Sequence, residues 1–263
     1  LKENAMVSRL LLSLLVLLLL MTSCTENRAS LYVQDMKVPT DECFIPGDKD
    51  AAYYSWGTWD VGLGYSYQVH PLLVNEMSSS LTLNPNAAET NSVLVKGAWV
   101  ALLDATDTEL IAPVFVYSPC TVEPEGSSTA MNFTAVNAAT YDTLAGIFRG
   151  TLTGIYDLCH TRTTSTLVIR IRIVGKTTGD RDIDTPYFYF PITVCCGCTV
   201  FFPPDAFDSI VGLHDCLGEE GTETEPPCFL GQDKNVDCRQ CAGNFPELCA
   251  PTSETFDNPW YSI

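Results

Sequence analysis

Positive charge is scarce in this 263-residue chain: Lys and Arg total 14 against 32 Asp and Glu, giving a net charge of −18 at pH 7. Such a surface repels phosphate, which excludes nucleic acid as a partner and argues against electrostatic docking on anionic headgroups. Histidine is scarcer still. Only His70, His160 and His214 occur, and none has the helical spacing of a metal-binding pair. Catalytic signatures are missing as well: there is no Gly-x-Ser-x-Gly elbow, no His-Glu-x-x-His, no phosphate-cradling glycine loop and no dinucleotide fingerprint. The paired carboxylates of a glycoside hydrolase leave no linear signature, so that class stays open. No run of about 20 apolar residues and no long amphipathic helical pattern is present.

What the chain does have begins with Arg9 to Cys24. Lys2 and Arg9 precede an apolar run from Leu10 to Met21, broken only by Ser13. As a helix this run is about 18 Å long, too short for a bilayer core of ~30 Å. It therefore reads as the h-region of an export signal over residues 1–23, with Met6 as the tidier start. Met21-Thr22-Ser23-Cys24 resembles the bacterial lipobox. The resemblance implies a diacylglyceryl thioether and an N-acyl chain on Cys24, and several acyl chains together anchor stably where one does not. Thr25, in place of Asp, implies an outer-membrane destination in lineages that follow the enteric sorting rule.

Eleven further cysteines remain: Cys43, Cys120, Cys159, Cys195, Cys196, Cys198, Cys216, Cys228, Cys238, Cys241 and Cys249. In an oxidising compartment they read first as disulfides, and their odd number leaves at least one unpaired. Cys195-Cys196-Gly197-Cys198 and Cys238-Arg239-Gln240-Cys241 could offer four thiolates to zinc. Their wide separation and the compartment favour disulfides instead, so no metal and no other cofactor is expected. Asp180-Arg181-Asp182-Ile183-Asp184 starts like a calcium loop, but Thr185 and Pro191 stand where Gly and a bidentate Glu are needed. A solvated hairpin tip is the reading kept for it.

Residues 24–50 read as a lipidated polar tether, with Cys43 stapling its end to the body. Residues 51–199 carry the strand signals. Leu167, Ile169, Ile171 and Ile173 alternate with Arg170 and Arg172, the mark of a half-buried antiparallel strand, and Tyr187 to Val194 is its return. Val93, Val95, Gly97 and Trp99 share one face of an earlier strand. Leu110 to Tyr117 is a run broken by Pro113, Pro71 fits a bend or an edge, and Asn132 to Val136 is short. Gly146, Gly150 and Gly154 punctuate a stretch read as strand or loop. Six to eight such strands predict a mainly β fold, an antiparallel Ig-like β-sandwich. Residues 200–263 are acidic and cysteine-rich, too polar to order themselves without crosslinks or packing on the sandwich. Tyr53, Tyr54, Trp56, Trp59, Tyr65 and Tyr67 cluster early, as core and edge packing or as a platform for sugar stacking.

Several segments together resemble a set of uncharacterised lipoproteins of myxobacteria and related bacteria. They are Cys24; Gly57-Thr58-Trp59-Asp60 with Tyr65 and Leu72-Leu73-Val74-Asn75; Glu89-Thr90-Asn91; Tyr189 to Cys195 with Gly197-Cys198; and Gly231-Gln232-Asp233 with Val236-Asp237-Cys238-Arg239. The resemblance implies a surface lipoprotein and carries over no activity. Cys196 departs from the pattern, which marks it as the unpaired thiol. The expectation is a non-catalytic outer-membrane lipoprotein that reaches the membrane through its lipid and serves envelope structure or binds an envelope protein or glycan. The alternative is an envelope hydrolase or carbohydrate-active domain whose acidic residues converge only in three dimensions.

Overall fold

The computed structural model describes residues 30–151, 164–203, 207–208, 213–214, 216, 227–244 and 249. The export segment, Cys24, Cys159 and His160 lie outside the described residues. The chain is mostly β, with several sheets and disulfide-bonded cysteines. Its strands are β1 (Leu31–Lys37), β2 (Tyr53–Tyr54), β3 (Gly57–Asp60), β4 (Tyr67–Val69), β5 (Pro71–Asn75), β6 (Val93–Asp104), β7 (Glu109–Val122), β8 (Ser127–Ala130) and β9 (Phe133–Val136). They continue with β10 (Ser165–Thr177), β11 (Asp182–Asp184), β12 (Phe188–Cys195), β13 (Val200–Phe201), β14 (Phe207–Asp208), β15 (Leu213–His214) and β16 (Val236–Asp237). Among the described residues three helices intervene: α1 (Ser80–Leu83), α2 (Ala138–Thr151) and α3 (Cys238–Cys241). Among the described residues no helix is long and apolar enough to cross a membrane.

One sheet runs β2-β1-β5-β8 and a larger one β3-β12-β10-β6-β7, with β11 beside β10. β10 behaves as its alternation predicts: Leu167, Ile169, Ile171 and Ile173 are buried, and it pairs antiparallel with β12 and β6. One apolar cluster draws on both sheets, including Leu31, Val33 and Leu73 from the smaller and Val93, Val100 and Ile169 from the larger. The pairing is not wholly antiparallel. β3 runs parallel to β12, from Gly57 opposite Ile192 to Asp60 opposite Cys195. Pro71 opens β5, an inner strand of the smaller sheet, where a first residue needs no ladder donor. Pro113 does not break its run either. β7 continues through it to Val122, because β7 is the edge of the larger sheet and its outer side needs no partner.

Three further local readings change. Residues 31–37, expected in the tether, form β1. Its charges hid the strand, but they pair inside: the fully buried Lys37 Nζ donates to Asp35 Oδ2 at 3.2 Å and to the carbonyls of Lys49 and Ala51 at 3.0 Å each. An ammonium has three donors, so this cage fills them. Residues 138–151, whose glycine-bearing end was read as strand or loop, form α2. Asn137 caps it, its Oδ1 accepting from Thr140 N at 2.9 Å, and Leu144 is fully buried. The packing of that face outweighs a cost of about 1 kcal/mol per internal glycine. Trp99 does not share the face of Val93 and Val95. The β6 register shifts between Val95 and Gly97, so Ala98 and Val100 turn inward and Trp99 outward.

The cysteines pair as Cys43–Cys228, Cys195–Cys198, Cys216–Cys238 and Cys241–Cys249. Cys43 thus staples the N-terminal segment to the acidic C-terminal segment, across 185 residues of sequence. A loop that long removes roughly 5 kcal/mol of unfolded-state entropy in the chain-entropy account. Cys196, expected to be unpaired, is disulfide-bonded. Cys120, a disulfide candidate, is instead a free thiol on β7, half-buried against the core. Burial pushes its pKa up to about 11, so it stays protonated and inert at neutral pH. Maleimide labelling of the oxidised chain in denaturant, followed by peptide mapping, should mark Cys120 and leave Cys196 unmarked. Label on Cys196 would contradict the assignment.

Candidate functional site

Two places in the described structure concentrate chemistry. The first surrounds Asp60, the last residue of β3, whose side chain is fully buried. Its carboxylate accepts from Gly62 N at 3.1 Å, Gly197 N at 2.8 Å, Thr199 N at 3.0 Å and Thr199 Oγ1 at 2.9 Å. Burial raises its pKa, and these four donors oppose the rise. Asp60 Oδ, Cys195 Sγ and Cys198 Sγ lie close enough to hold a metal ion. Both sulfurs are committed to one disulfide, however, and the carboxylate is already saturated with donors. The second Cys-x-x-Cys splits, Cys238 going to Cys216 and Cys241 to Cys249. The four cysteines of the two pairs therefore do not form one thiolate set.

Beside Asp60, the C-terminal segment locks onto the body. Asp60 N donates to Gly231 O at 2.7 Å, and Trp59 bridges to Gln232. The Gln232 side chain accepts from Gln68 N at 2.8 Å and donates to Gln68 O at 2.6 Å, reading both backbone groups of one residue. Asp233 Oδ1 accepts from Thr58 N at 2.7 Å and from the Tyr67 hydroxyl at 2.9 Å. Two glycines permit the approach. A Cβ on Gly57 would meet the Tyr67 hydroxyl at 1.9 Å, and Gly231 sits at φ +75° with Asp60 O only 2.8 Å from a Cβ there. The segments Gly57 to Asp60, Gly197-Cys198 and Gly231 to Asp233, far apart in sequence, thus meet in one place, and what they make there is an internal latch. A small cavity of about 10 Å³ adjoins it, lined by Tyr54, Phe229 and Asp233 among others. That is room for one water.

The second place is the outer face of the larger sheet. Register sets it up: Arg172 lies opposite Trp99, which lies opposite Phe115, while Arg170 lies opposite Ala101 on one side and Tyr189 on the other. Trp99, Phe115, Tyr187 and Tyr189 are all exposed. Trp99, Ala101, Pro113, Arg170, Arg172 and Tyr187 line a groove of about 210 Å³. The guanidinium carbons of Arg170 and Arg172 lie 5.1 and 5.5 Å from the Tyr187 ring centroid, within cation–π range. Arg170 pairs with Glu109 at 2.7 Å and Arg172 with Asp184. The outward direction of both arginines was legible in the sequence; the rings around them were not, because the β6 bulge turns Trp99 out. The early aromatics divide. Trp59 and Tyr67 are core, whereas Tyr53, Trp56 and Tyr65 are exposed, Tyr65 edge-on to Tyr141 at 5.1 Å. Asp182 and Asp184 sit at an exposed hairpin, Asp184 spent on Arg172.

The chain matches no protein-family model and no curated protein. Among solved structures it is similar to a protein from Archaeoglobus fulgidus, at 15% identity over 53% of this chain and 92% of that one, with a TM-score of 0.32. A superposition this loose carries no argument about function.

The latch makes a pH prediction. His70 is buried, stacked on Phe229 at 5.2 Å, and burial lowers its pKa to about 4, with the nearby Asn132 opposing. Below about 6.5 the unfolded chain takes up a proton that the folded chain refuses until about 4, so stability falls as pH falls through that window. Asp233 acts in the opposite sense. Burial raises its pKa to about 6, so the stability it contributes is present below 3.8 and lost as pH rises through about 6. Urea unfolding of His70→Phe should lose less stability than wild type between neutral pH and pH 4, the difference being about 3 kcal/mol. Parallel pH profiles would contradict the assignment.

Proposed function

We propose that the chain is an exported, lipid-anchored, non-catalytic binding module of the outer membrane, with its two larger sheets as the layers of an Ig-like sandwich. The shared apolar cluster supports the layered reading. The pattern from Arg9 to Cys24 supports the anchor. One observation carries the binding role: the outer face of the larger sheet presents an aromatic and arginine-lined groove, while the carboxylates of the buried Asp60 and the half-buried Asp233 are turned onto backbone donors. A groove with few converging polar groups and apolar walls is the ordinary form of a ligand site.

The hydrolase reading has one observation in its favour, the raised pKa of Asp233, as a general acid requires. The cavity beside Asp233 is lined by no other carboxylate and has room for a water and no substrate, and the groove described above is lined by none. The binding reading is therefore preferred.

Metabolic labelling with a fatty-acid analogue in a Gram-negative host tests the anchor. The wild-type chain should carry label and sediment with outer membranes, and Cys24→Ser should lose both properties. Label that persists in Cys24→Ser, or an unlabelled wild-type chain in the soluble fraction, would overturn it.

A further inference from the structure

We propose that the groove on the larger sheet binds an uncharged polysaccharide, one sugar ring seated between Trp99 and the Arg170–Arg172 pair and the chain running on across the sheet. This deepens the binding-module reading above and rests on it.

Three features choose the ligand. The walls are apolar and flat: Trp99 and Pro113 on one side, Tyr187 on the other, with the small Ala101 as floor. Such surfaces match the C–H faces of a pyranose ring, which bury apolar area without needing a charge. A groove of about 210 Å³ is smaller than the roughly 300 Å³ of a drug-sized pocket, so it takes one ring and leaves neighbouring rings to Phe115 and Tyr189. Polar recognition falls to the two guanidinium forks, whose paired N–H groups match the spacing of vicinal hydroxyls.

Charge decides against an acidic glycan. Arg170 and Arg172 already hold Glu109 and Asp184, so the groove is charge-balanced within a chain of net charge −18. Both acids are about half exposed, at 40% and 47%, so each pair is a surface pair worth at most about 1 kcal/mol. An incoming carboxylate would displace one such partner to gain another like it, against the field of the whole chain. A neutral hydroxyl pair has no such exchange to make. It uses N–H donors beyond the single Nη2 that each salt bridge employs, and the acids hold the forks in place for it.

The test is affinity gel electrophoresis of the full chain in mild detergent. The gels contain laminarin, hydroxyethylcellulose, galactomannan or dextran as neutral probes, and polygalacturonate or alginate as charged ones. At least one neutral gel should retard the chain, equally at low and high salt. Trp99→Ala and Arg170→Lys should each weaken that retardation about tenfold, the lysine because it keeps the charge and loses the fork. Trp56→Ala, an exposed aromatic outside the groove, should leave it unchanged. Retardation by no neutral probe would overturn the proposal. So would retardation only in charged gels that salt abolishes, or retardation of Trp99→Ala and Arg170→Lys as strong as that of wild type. Reducing ends released from the same polysaccharides are measured in parallel. Their release would instead overturn the non-catalytic reading, whichever way retardation falls.

Discussion

A buried carboxylate has to be paired, and Asp60 is where this chain meets that constraint. Leaving such a group unsatisfied costs several kcal/mol, so the backbone around it is not free to choose its path. Three stretches are bent to serve it: the turn at Gly62, the turn closed by the Cys195–Cys198 disulfide, and Thr199. The backbone of the same residue then receives Gly231. The parallel pairing of β3 with β12 follows, because it brings Asp60 opposite Cys195. From Thr199 the order passes on through Val236, whose N–H donates to the Thr199 carbonyl at 2.8 Å, to the short β13–β16 pair.

The described residues of the acidic C-terminal segment are therefore joined closely to the body. They supply half of the latch. They also share a second small core, in which Leu63 from the body packs with Val236, Cys216, Cys238, Cys241 and Cys249. Crosslinks replace the apolar bulk that the composition withholds, as small cysteine-rich units generally do. The latch uses two carboxylates with raised pKa values, Asp60 and Asp233, for structure. The outer face of the larger sheet is the opposite kind of surface: exposed, aromatic and charge-balanced.

Legibility in the sequence followed locality. The alternation in β10 and β12 is a property of consecutive residues, and the strands are where it puts them. β1 was missed because Asp35 and Lys37 look solvent-bound until the fold brings the carbonyls of Lys49 and Ala51 to Lys37, which also holds Asp35. α2 is hidden in the sequence because its glycines disfavour a helix locally, and only the Asn137 cap and the burial of Leu144 outweigh them. The groove was half visible. Arg170 and Arg172 point outward by parity, but a single bulge near Gly97 reverses Trp99, and no local rule announces a bulge. The motifs Gly57 to Asp60 and Gly231 to Asp233 stood out as sequence; only the fold shows that they touch. Cysteine pairing was beyond the sequence in principle, since spacing does not determine connectivity.

The most direct test of this account is hydrogen–deuterium exchange of the oxidised chain, read by mass spectrometry. If Asp60 couples the body to the C-terminal segment, amides of residues 228–241 should open with the same free energy as those of β10, in one cooperative unit. Asp60→Ala should lower protection at 197–199 and 231–237 together. Fast exchange across 228–241 beside a protected β10, unchanged by Asp60→Ala, would show two independent parts and contradict the account.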